Sequence, residues 1–115
     1  VVLIDMIGFG KSDKPKREKF HQLQQHRQIL GDFVDRLGLK SINVVLEGWH
    51  SGLLMSLCEG ISPLICNFLV LPEGRSRLSV AAFDDAMQAP FPDKGYKAGV
   101  REFSRLLLEL KREKI

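Results

Sequence analysis

Small residues and candidate catalytic side chains meet in the middle of the chain, directly after an apolar run at residues 42–46. The segment reads Glu47-Gly48-Trp49-His50-Ser51-Gly52. Glycines between a buried strand and a helix permit a strained turn on which one side chain projects alone, and some enzymes present a nucleophile this way. The Gly48-x-His50-x-Gly52 spacing fits that turn, with histidine where serine belongs. An ordinary glycine turn is the alternative.

A second glycine-rich segment, Gly8-Phe9-Gly10-Lys11-Ser12, suggests phosphate binding, but its spacing argues against it. A phosphate-binding loop ending at Lys11-Ser12 needs glycine at position 5, which is Asp5. A dinucleotide-binding motif needs a small residue at position 13, which is Asp13. We therefore expect a tight turn after a strand and no nucleotide cofactor.

Hydrophobic periodicity predicts the elements that position these segments. Strands are expected at residues 1–5, 42–46 and 64–70, and helices at 20–37, 53–58, 80–87 and 99–112, with an extended turn at 90–93. Strands that alternate with helices favour parallel pairing. The predicted fold class is α/β, with about three parallel strands and flanking helices.

Composition excludes several functions for this chain of 115 residues, which is 44% hydrophobic and has a net charge of +3. The apolar run at 64–71 is too short for a membrane span. Five basic residues cluster within 11–19 without an aromatic platform, so a solvated loop is favoured over a nucleic-acid site. Cys58 and Cys66 lack metal spacing, and buried reduced thiols would suggest the cytoplasm. His21 and His26 miss the i, i+4 spacing of paired ligands, so no metal is expected.

Two separate segments carry a family resemblance. The segment Asp5-Met6-Ile7-Gly8-Phe9-Gly10-Lys11-Ser12-Asp13-Lys14-Pro15 resembles the strand-loop signature of haloalkane dehalogenases, a branch of the α/β-hydrolases. The segment from Ala89 to Arg101 resembles the stretch that returns from the dehalogenase cap domain. Between these two segments the order and spacing of the family are kept by three groups of residues: Arg36-Leu37-Gly38-Leu39, Val44-Val45 and Trp49. The resemblance implies a partial α/β-hydrolase core.

The resemblance also implies what the central segment does. In that family an aspartate directly before the elbow tryptophan attacks the halogen-bearing carbon, and the tryptophan stabilises the departing halide. Here the nucleophile position falls on Gly48, so the nucleophile is lost, and the halide position falls on Trp49. Glu47, His50 and Ser51 are weak substitutes, because Glu47 should face away from the pocket and bulk at the other two positions strains the turn.

The resemblance predicts a single partial domain: core strands and elbow at 1–71, and a remnant of the cap-return helices at 80–112. The family's oxyanion loop, catalytic histidine and most of its cap would be missing. Three readings remain open: an inactive fragment or degenerate hydrolase, a longer or complemented hydrolase that uses another elbow residue, and a non-catalytic interaction module. An active form would take small apolar or halogenated substrates, and exposed strand edges favour self-association.

Overall fold

The structure, a computed structural model, describes residues 1–48, 51–71 and 87–113. Its main elements are α1 (Leu23–Arg36), β1 (Ile42–Glu47), α2 (Ser51–Leu57), β2 (Ile65–Leu71) and α3 (Ala98–Glu113). Short 3-10 segments lie at Glu18–Phe20, Cys58–Leu64 and Lys94–Lys97. Helices alternate with parallel strands, so the predicted α/β class is confirmed. No helix in these ranges is long and apolar enough to cross a membrane.

Helix α1 confirms the predicted helix at 20–37 with later and tighter bounds. It begins at Leu23 because Gln22 is extended and Glu18–Phe20 forms a 3-10 turn. It ends where Gly38 adopts a φ of +64°, a conformation that glycine adopts without steric cost. The N–H of Gly38 donates to the Asp35 carbonyl, and the N–H of Leu39 donates to the Val34 carbonyl at 3.2 Å. This pair of bonds is the Schellman arrangement that closes helices.

Strands β1 and β2 form a parallel sheet in which Asn43 pairs with Asn67 and Glu47 pairs with Leu71. The side-chain amide of Asn67 donates to the Asn43 side-chain oxygen at 2.8 Å, which fixes the register from the exposed side. Helix α2 and the Cys58–Leu64 segment make the crossover that a parallel pair needs. The strands expected at 42–46 and 64–70 are therefore confirmed.

The strand expected at residues 1–5 was wrong. This segment has no regular secondary structure, and the sheet of the described residues has two strands. An extended segment becomes a strand only when a neighbouring backbone completes its hydrogen bonds, and residues 2–6 lie across a groove from β1. Val1, Val2, Leu3 and Ile4 are consequently exposed.

The core lies between the helices and one face of the sheet. Its buried members are Leu30, Val34, Leu53, Leu57, Cys58, Ile61, Phe103 and Leu106. Helix α3 confirms the helix predicted at 99–112. On its predicted face Phe103 is buried and Val100, Leu107 and Leu110 are half-buried, and the prediction omitted Leu106. Helix α3, which lies far from α1 and α2 in the sequence, thereby completes the core that they form.

Three further expectations concern the cysteines, the segment at 80–87 and the turn at 90–93. Cys58 is a buried free thiol as predicted, and burial raises its pKa. Cys66 is exposed, because it lies on β2, whose residues are mostly uncovered among the described ranges.

The helix expected at 80–87 lies outside the described residues except for Met87, which is helical. Near the extended turn expected at 90–93, the hydrogen-bonded turn of the structure lies at residues 88–91, where the N–H of Phe91 donates to the Gln88 carbonyl.

Candidate functional site

The candidate site is the joint between β1 and α2, where the chain turns sharply at Gly48. Gly48 has a φ of +92°, in the region that residues with a Cβ rarely adopt. Its N–H donates to the Leu71 carbonyl of β2 at 3.4 Å, and its own carbonyl accepts the N–H of Ser51 at 3.2 Å. Gly48 is thus tied to the sheet on one side and to the start of a helix on the other. A glycine with positive φ therefore lies between the end of β1 and the start of α2.

The space around Gly48 is open. A Cβ built at this position would meet no atom within 4 Å, so a side chain here would project away from the described residues. Glycine supplies no such side chain and no nucleophile.

Two of the three substitutes expected for the nucleophile, Glu47 and Ser51, are among the described residues. The third substitute, His50, lies outside the described residues, as does Trp49. Glu47 ends β1, is exposed, and is among the residues that line the groove beside residues 2–6. Ser51 begins α2 and is half-buried. Of the described histidines, neither hydrogen-bonds to Ser51, so no described base activates that hydroxyl.

The glycine-rich loop folds around the carboxylate of Asp5. The backbone N–H of Lys11 donates to Asp5 Oδ2 at 2.9 Å, and Ser12 Oγ donates to the Asp5 carbonyl at 2.6 Å. A Cβ on Gly10, whose φ is +51°, would overlap the Asp5 carboxylate. The Asp5 carboxylate therefore occupies the place where a phosphate-binding loop would hold its anion. This agrees with a structural role for the turn.

The loop packs directly against the start of α3. A Cβ on Gly8 would stand 3.2 Å from the Gly99 Cα, so the two backbones are in close contact. The rings of Phe9 and Phe103 lie 4.7 Å apart between centroids. Arg101 also forms an ion pair with Glu18 at 3.3 Å. The two segments that carry the family resemblance are separated by 73 residues in the sequence and are in contact in the fold.

Sequence reasoning missed a buried histidine pair. His21 and His26 are fully buried, with stacked rings, and His21 Nδ1 lies 2.9 Å from His26 Nε2. His21 Nε2 lies 3.4 Å from the Pro15 carbonyl. That carbonyl can only accept, so His21 carries its proton on Nε2 and His26 donates its own from Nε2. His26 Nδ1 is left as a buried acceptor without a partner in the described structure.

Burial sets the charge of this pair. It lowers the pKa of His26 to about 4, with a smaller contribution from His21, and it lowers the pKa of His21. Both rings are neutral at pH 7 as a consequence. The i, i+4 spacing of paired ligands holds only within a helix, and His21 precedes α1, so that rule could not identify this pair. No group of three potential metal ligands occurs in the described part of the chain.

Curated relatives of this chain are haloalkane dehalogenases. Haloalkane dehalogenase 1 of Mycobacterium tuberculosis (strain ATCC 25618 / H37Rv) is 28% identical over 141 residues, covering 93% of this chain and 47% of the relative. Haloalkane dehalogenases of Mycolicibacterium paratuberculosis and Psychrobacter cryohalolentis are 27% and 25% identical, again over 93% of this chain. No family model and no solved structure matches.

The chain spans about half the length of the curated relatives it matches. The matched span of 141 residues exceeds the 115 residues of the whole chain, so the relatives carry additional residues inside the match. The matches nevertheless extend over 93% of this chain. Taken with the α/β architecture, they support a relationship of this chain to the α/β-hydrolases.

Proposed function

We propose that this chain is a degenerate member of the haloalkane dehalogenase-like hydrolases that does not cleave carbon–halogen bonds by itself. One observation carries the proposal. Gly48, which takes the nucleophile position in the family resemblance, has a positive φ and backbone hydrogen bonds to β2 and α2, but it carries no side chain. The proposal treats residues 1–115 as one partial domain: core and elbow at 1–71, and a remnant of the cap-return helices at 80–112.

The family reaction depends on the carboxylate nucleophile that is missing at position 48. In the displacement, a carboxylate oxygen bonds to carbon while the carbon–halogen bond breaks and the halide leaves with the electron pair. Hydrolysis of the resulting ester then needs a base and an oxyanion site. Glu47 is an exposed carboxylate at the strand end, and no described histidine bonds to Ser51. The remaining described groups do not replace the nucleophile and its base.

Halide release tests the proposal. Purified wild-type protein and Gly48→Asp are each incubated with a bromoalkane, beside a Trp49→Phe control. Neither protein should release bromide over multiple turnovers, because groups that act as a unit recover little rate when one is restored alone. Multiple turnovers by the wild type that are lost in Trp49→Phe would contradict the proposal and indicate Glu47 or Ser51 as the nucleophile.

Mass spectrometry of the same samples tests the alignment of the elbow. A covalent alkyl ester trapped only in Gly48→Asp would support Gly48 as the nucleophile position. The open space around Gly48 accommodates the new side chain, and the strained backbone should cost about 1–2 kcal/mol of stability. The proposal also includes a cytoplasmic location, which the free thiols of Cys58 and Cys66 support.

A further inference from the structure

The ring of His21 lies where the glycine-rich loop, α1 and α3 meet. A Cβ built on Gly8 would stand 3.1 Å from His21 Cε1, and a Cβ built on Gly99 would stand 3.2 Å from the same atom. Side chains at positions 8 and 99 would therefore crowd the ring. On its other side, His21 Nδ1 faces His26 Nε2 of α1 at 2.9 Å. One buried ring thus contacts all three parts of the fold.

The ring of His26 contacts the middle of α3. It meets the Phe103 ring edge-on, with 4.9 Å between the centroids, and the Phe20 ring lies 6.0 Å away on the side of the 3-10 turn. From the next turn of α3, the Arg105 guanidinium donates to the His21 carbonyl. The histidine pair is therefore part of the surface on which α3 packs.

The hydrogen bonds of the pair fix where its protons lie when both rings are neutral. One proton is on His21 Nε2, which faces the Pro15 carbonyl, and a second lies between His21 Nδ1 and His26 Nε2. The fourth ring nitrogen, His26 Nδ1, is unprotonated and is buried without a partner. Because the space between the rings holds a single proton, a third proton has to go to His26 Nδ1. A positive charge on either ring therefore creates a buried N–H donor that has no acceptor.

Helix α3 presents two charged groups to the pair. Burial lowers the pKa of His21, and the negative charge of Glu102, which is 8% exposed, opposes that shift. Arg105 forms ion pairs with Glu102 and Glu109, so its own charge is balanced. Neither carboxylate accepts a hydrogen bond from His26 Nδ1. The nearest acid therefore eases a charge on His21 and leaves the added proton on His26 without a partner.

The other elements around the pair supply no countercharge. Helix α2 has no charged residue. On α1, Arg27 bonds to Ser56 and Glu59. In residues 11–22 some charged side chains are exposed and others are bonded elsewhere; the exposed ones are Lys11, Asp13, Arg17 and Lys19, and the bonded ones are Lys14, Lys16 and Glu18. A charged histidine pair would thus stay uncompensated in the packed arrangement.

Helix α3 can leave this surface with its own hydrogen bonds intact. The backbone bonds of a helix lie within the helix, whereas β1 and β2 are bonded to each other. Among the described residues, side chains of α3 bond to residues 1–71 through Arg101 and Arg105, and Phe103 and Leu106 pack in the core. Separation of α3 is therefore a smaller opening than unfolding of the sheet.

We propose that the histidine pair is an acid-sensitive latch that holds α3 against α1 and the glycine-rich loop. At neutral pH both rings are neutral and α3 is packed on the core. When a proton is added at His26 Nδ1, the ring turns toward water to find an acceptor, and α3 separates as an intact helix. Acid thereby uncovers the core side chains beneath α3 while β1 and β2 stay paired. This inference concerns the conformation of the chain and is independent of the proposed hydrolase relationship.

Amide hydrogen exchange of the full chain at low micromolar concentration, followed by mass spectrometry and corrected for intrinsic exchange rates, measures this opening. The pKa of His26 is about 4 when it is buried, against 6.5 when it is exposed. The open form binds the extra proton between these values, so its population relative to the closed form should rise about eightfold from pH 7 to pH 5.5. Peptides from α3 should lose protection by the same factor. Unchanged protection of α3 would overturn the proposal.

Two histidine variants assign the effect. His26→Gln keeps an N–H donor for His21 Nδ1 but does not titrate, so the protection of its α3 should change by less than about twofold over the same pH range. His50→Gln removes the third histidine of the chain and should keep the wild-type fall. An equal fall in wild type and a folded His26→Gln would refute the latch. Loss of the effect in His50→Gln would also refute it, and this comparison does not need His26→Gln to fold.

Urea separates the release of α3 from unfolding of the whole chain. A local opening exposes little surface, so up to about 1 M urea should barely change the exchange of α3 peptides, whereas β1 peptides should exchange faster because they open by unfolding. Protection of α3 should also be lower than that of β1 at both pH values. Equal protection and equal urea dependence of α3 and β1 would show that they open together, and the proposal would fail.

Discussion

Two buried imidazole rings form the most unusual polar contact among the described residues. His26 lies between the rings of Phe20, His21 and Phe103, and its Nδ1 is a buried acceptor without a described partner. Its neighbour Phe103 belongs to α3, and the guanidinium of Arg105 donates to the His21 carbonyl at 3.4 Å. The pair thus joins the loop before α1 to α3. A charge on either ring would be poorly solvated there.

Acid should therefore unfold the protein through His26. Its pKa is about 4 in the folded chain against 6.5 for an exposed histidine. Between these values the unfolded chain binds a proton that the folded chain does not, so stability is complete above pH 6.5 and falls as the pH decreases toward 4. The loss should reach at most about 3 kcal/mol. Urea unfolding of wild type and His26→Phe at pH 7 and pH 4.5 measures it, and the variant should show the smaller difference.

The turn around Asp5 can be tested by comparing alanine substitutions at two glycines, Gly10 and Gly38. Gly10 and Gly38 both have positive φ, of +51° and +64°, but a Cβ on Gly10 would overlap the Asp5 carboxylate whereas one on Gly38 would meet no atom within 4 Å. Gly38→Ala should cost about 1 kcal/mol from backbone strain. Gly10→Ala should cost clearly more, because the Asp5 bond to Lys11 must also break. Equal free energies of unfolding would show that the loop does not close on Asp5.

At the scale of elements, the packing of α3 on α1 and α2 joins the later part of the chain to the core. Leu106 is 2% exposed and Leu108 is 57% exposed on the same helix. Leu106→Ala should lower the free energy of unfolding by about 2–5 kcal/mol, since it leaves a cavity in the core. Leu108→Ala should change it by less than about 0.5 kcal/mol. Similar small effects in both variants would mean that α3 does not pack on α1 and α2 in solution.

At the scale of the whole molecule, the sheet is poorly covered by the described residues. Phe68, Leu69, Val70 and Leu71 of β2 are all exposed, and β1 has an open edge. Apolar strands with open edges pair with other chains unless charge or cover prevents it. We therefore expect the isolated chain to oligomerise or aggregate at tens of micromolar.

A lysine on β2 should reduce that association. Leu69 and Leu37 are about equally exposed, at 54% and 52%, but Leu69 lies on β2 and Leu37 caps α1. Leu69→Lys should shift sedimentation toward the monomer, because charges on edge strands oppose pairing, and Leu37→Lys should not. A wild-type chain that sediments as a compact monomer would contradict this expectation.

Local patterns sufficed for much of the architecture. The three- and four-residue spacing of Leu30, Phe33 and Val34 predicted α1, and Gly38 predicted its end. The β-branched runs predicted β1 and β2, and the small residues around Gly48 predicted a sharp turn. These features depend on residues close in sequence, so neighbouring side chains and backbone preferences determine them.

The remaining features depended on tertiary contacts. Residues 1–5 have the composition of a strand, but a strand also needs a hydrogen-bonding neighbour, and the described fold places a groove there. The pairing of His21 with His26, the burial of Leu106 and the contact of Gly8 with Gly99 join distant segments. The sequence by itself determined the helices α1, α2 and α3, the strands β1 and β2, and the glycine at position 48. Only the tertiary structure decided which backbone edges and buried rings met a partner, because burial and pairing arise from packing between elements.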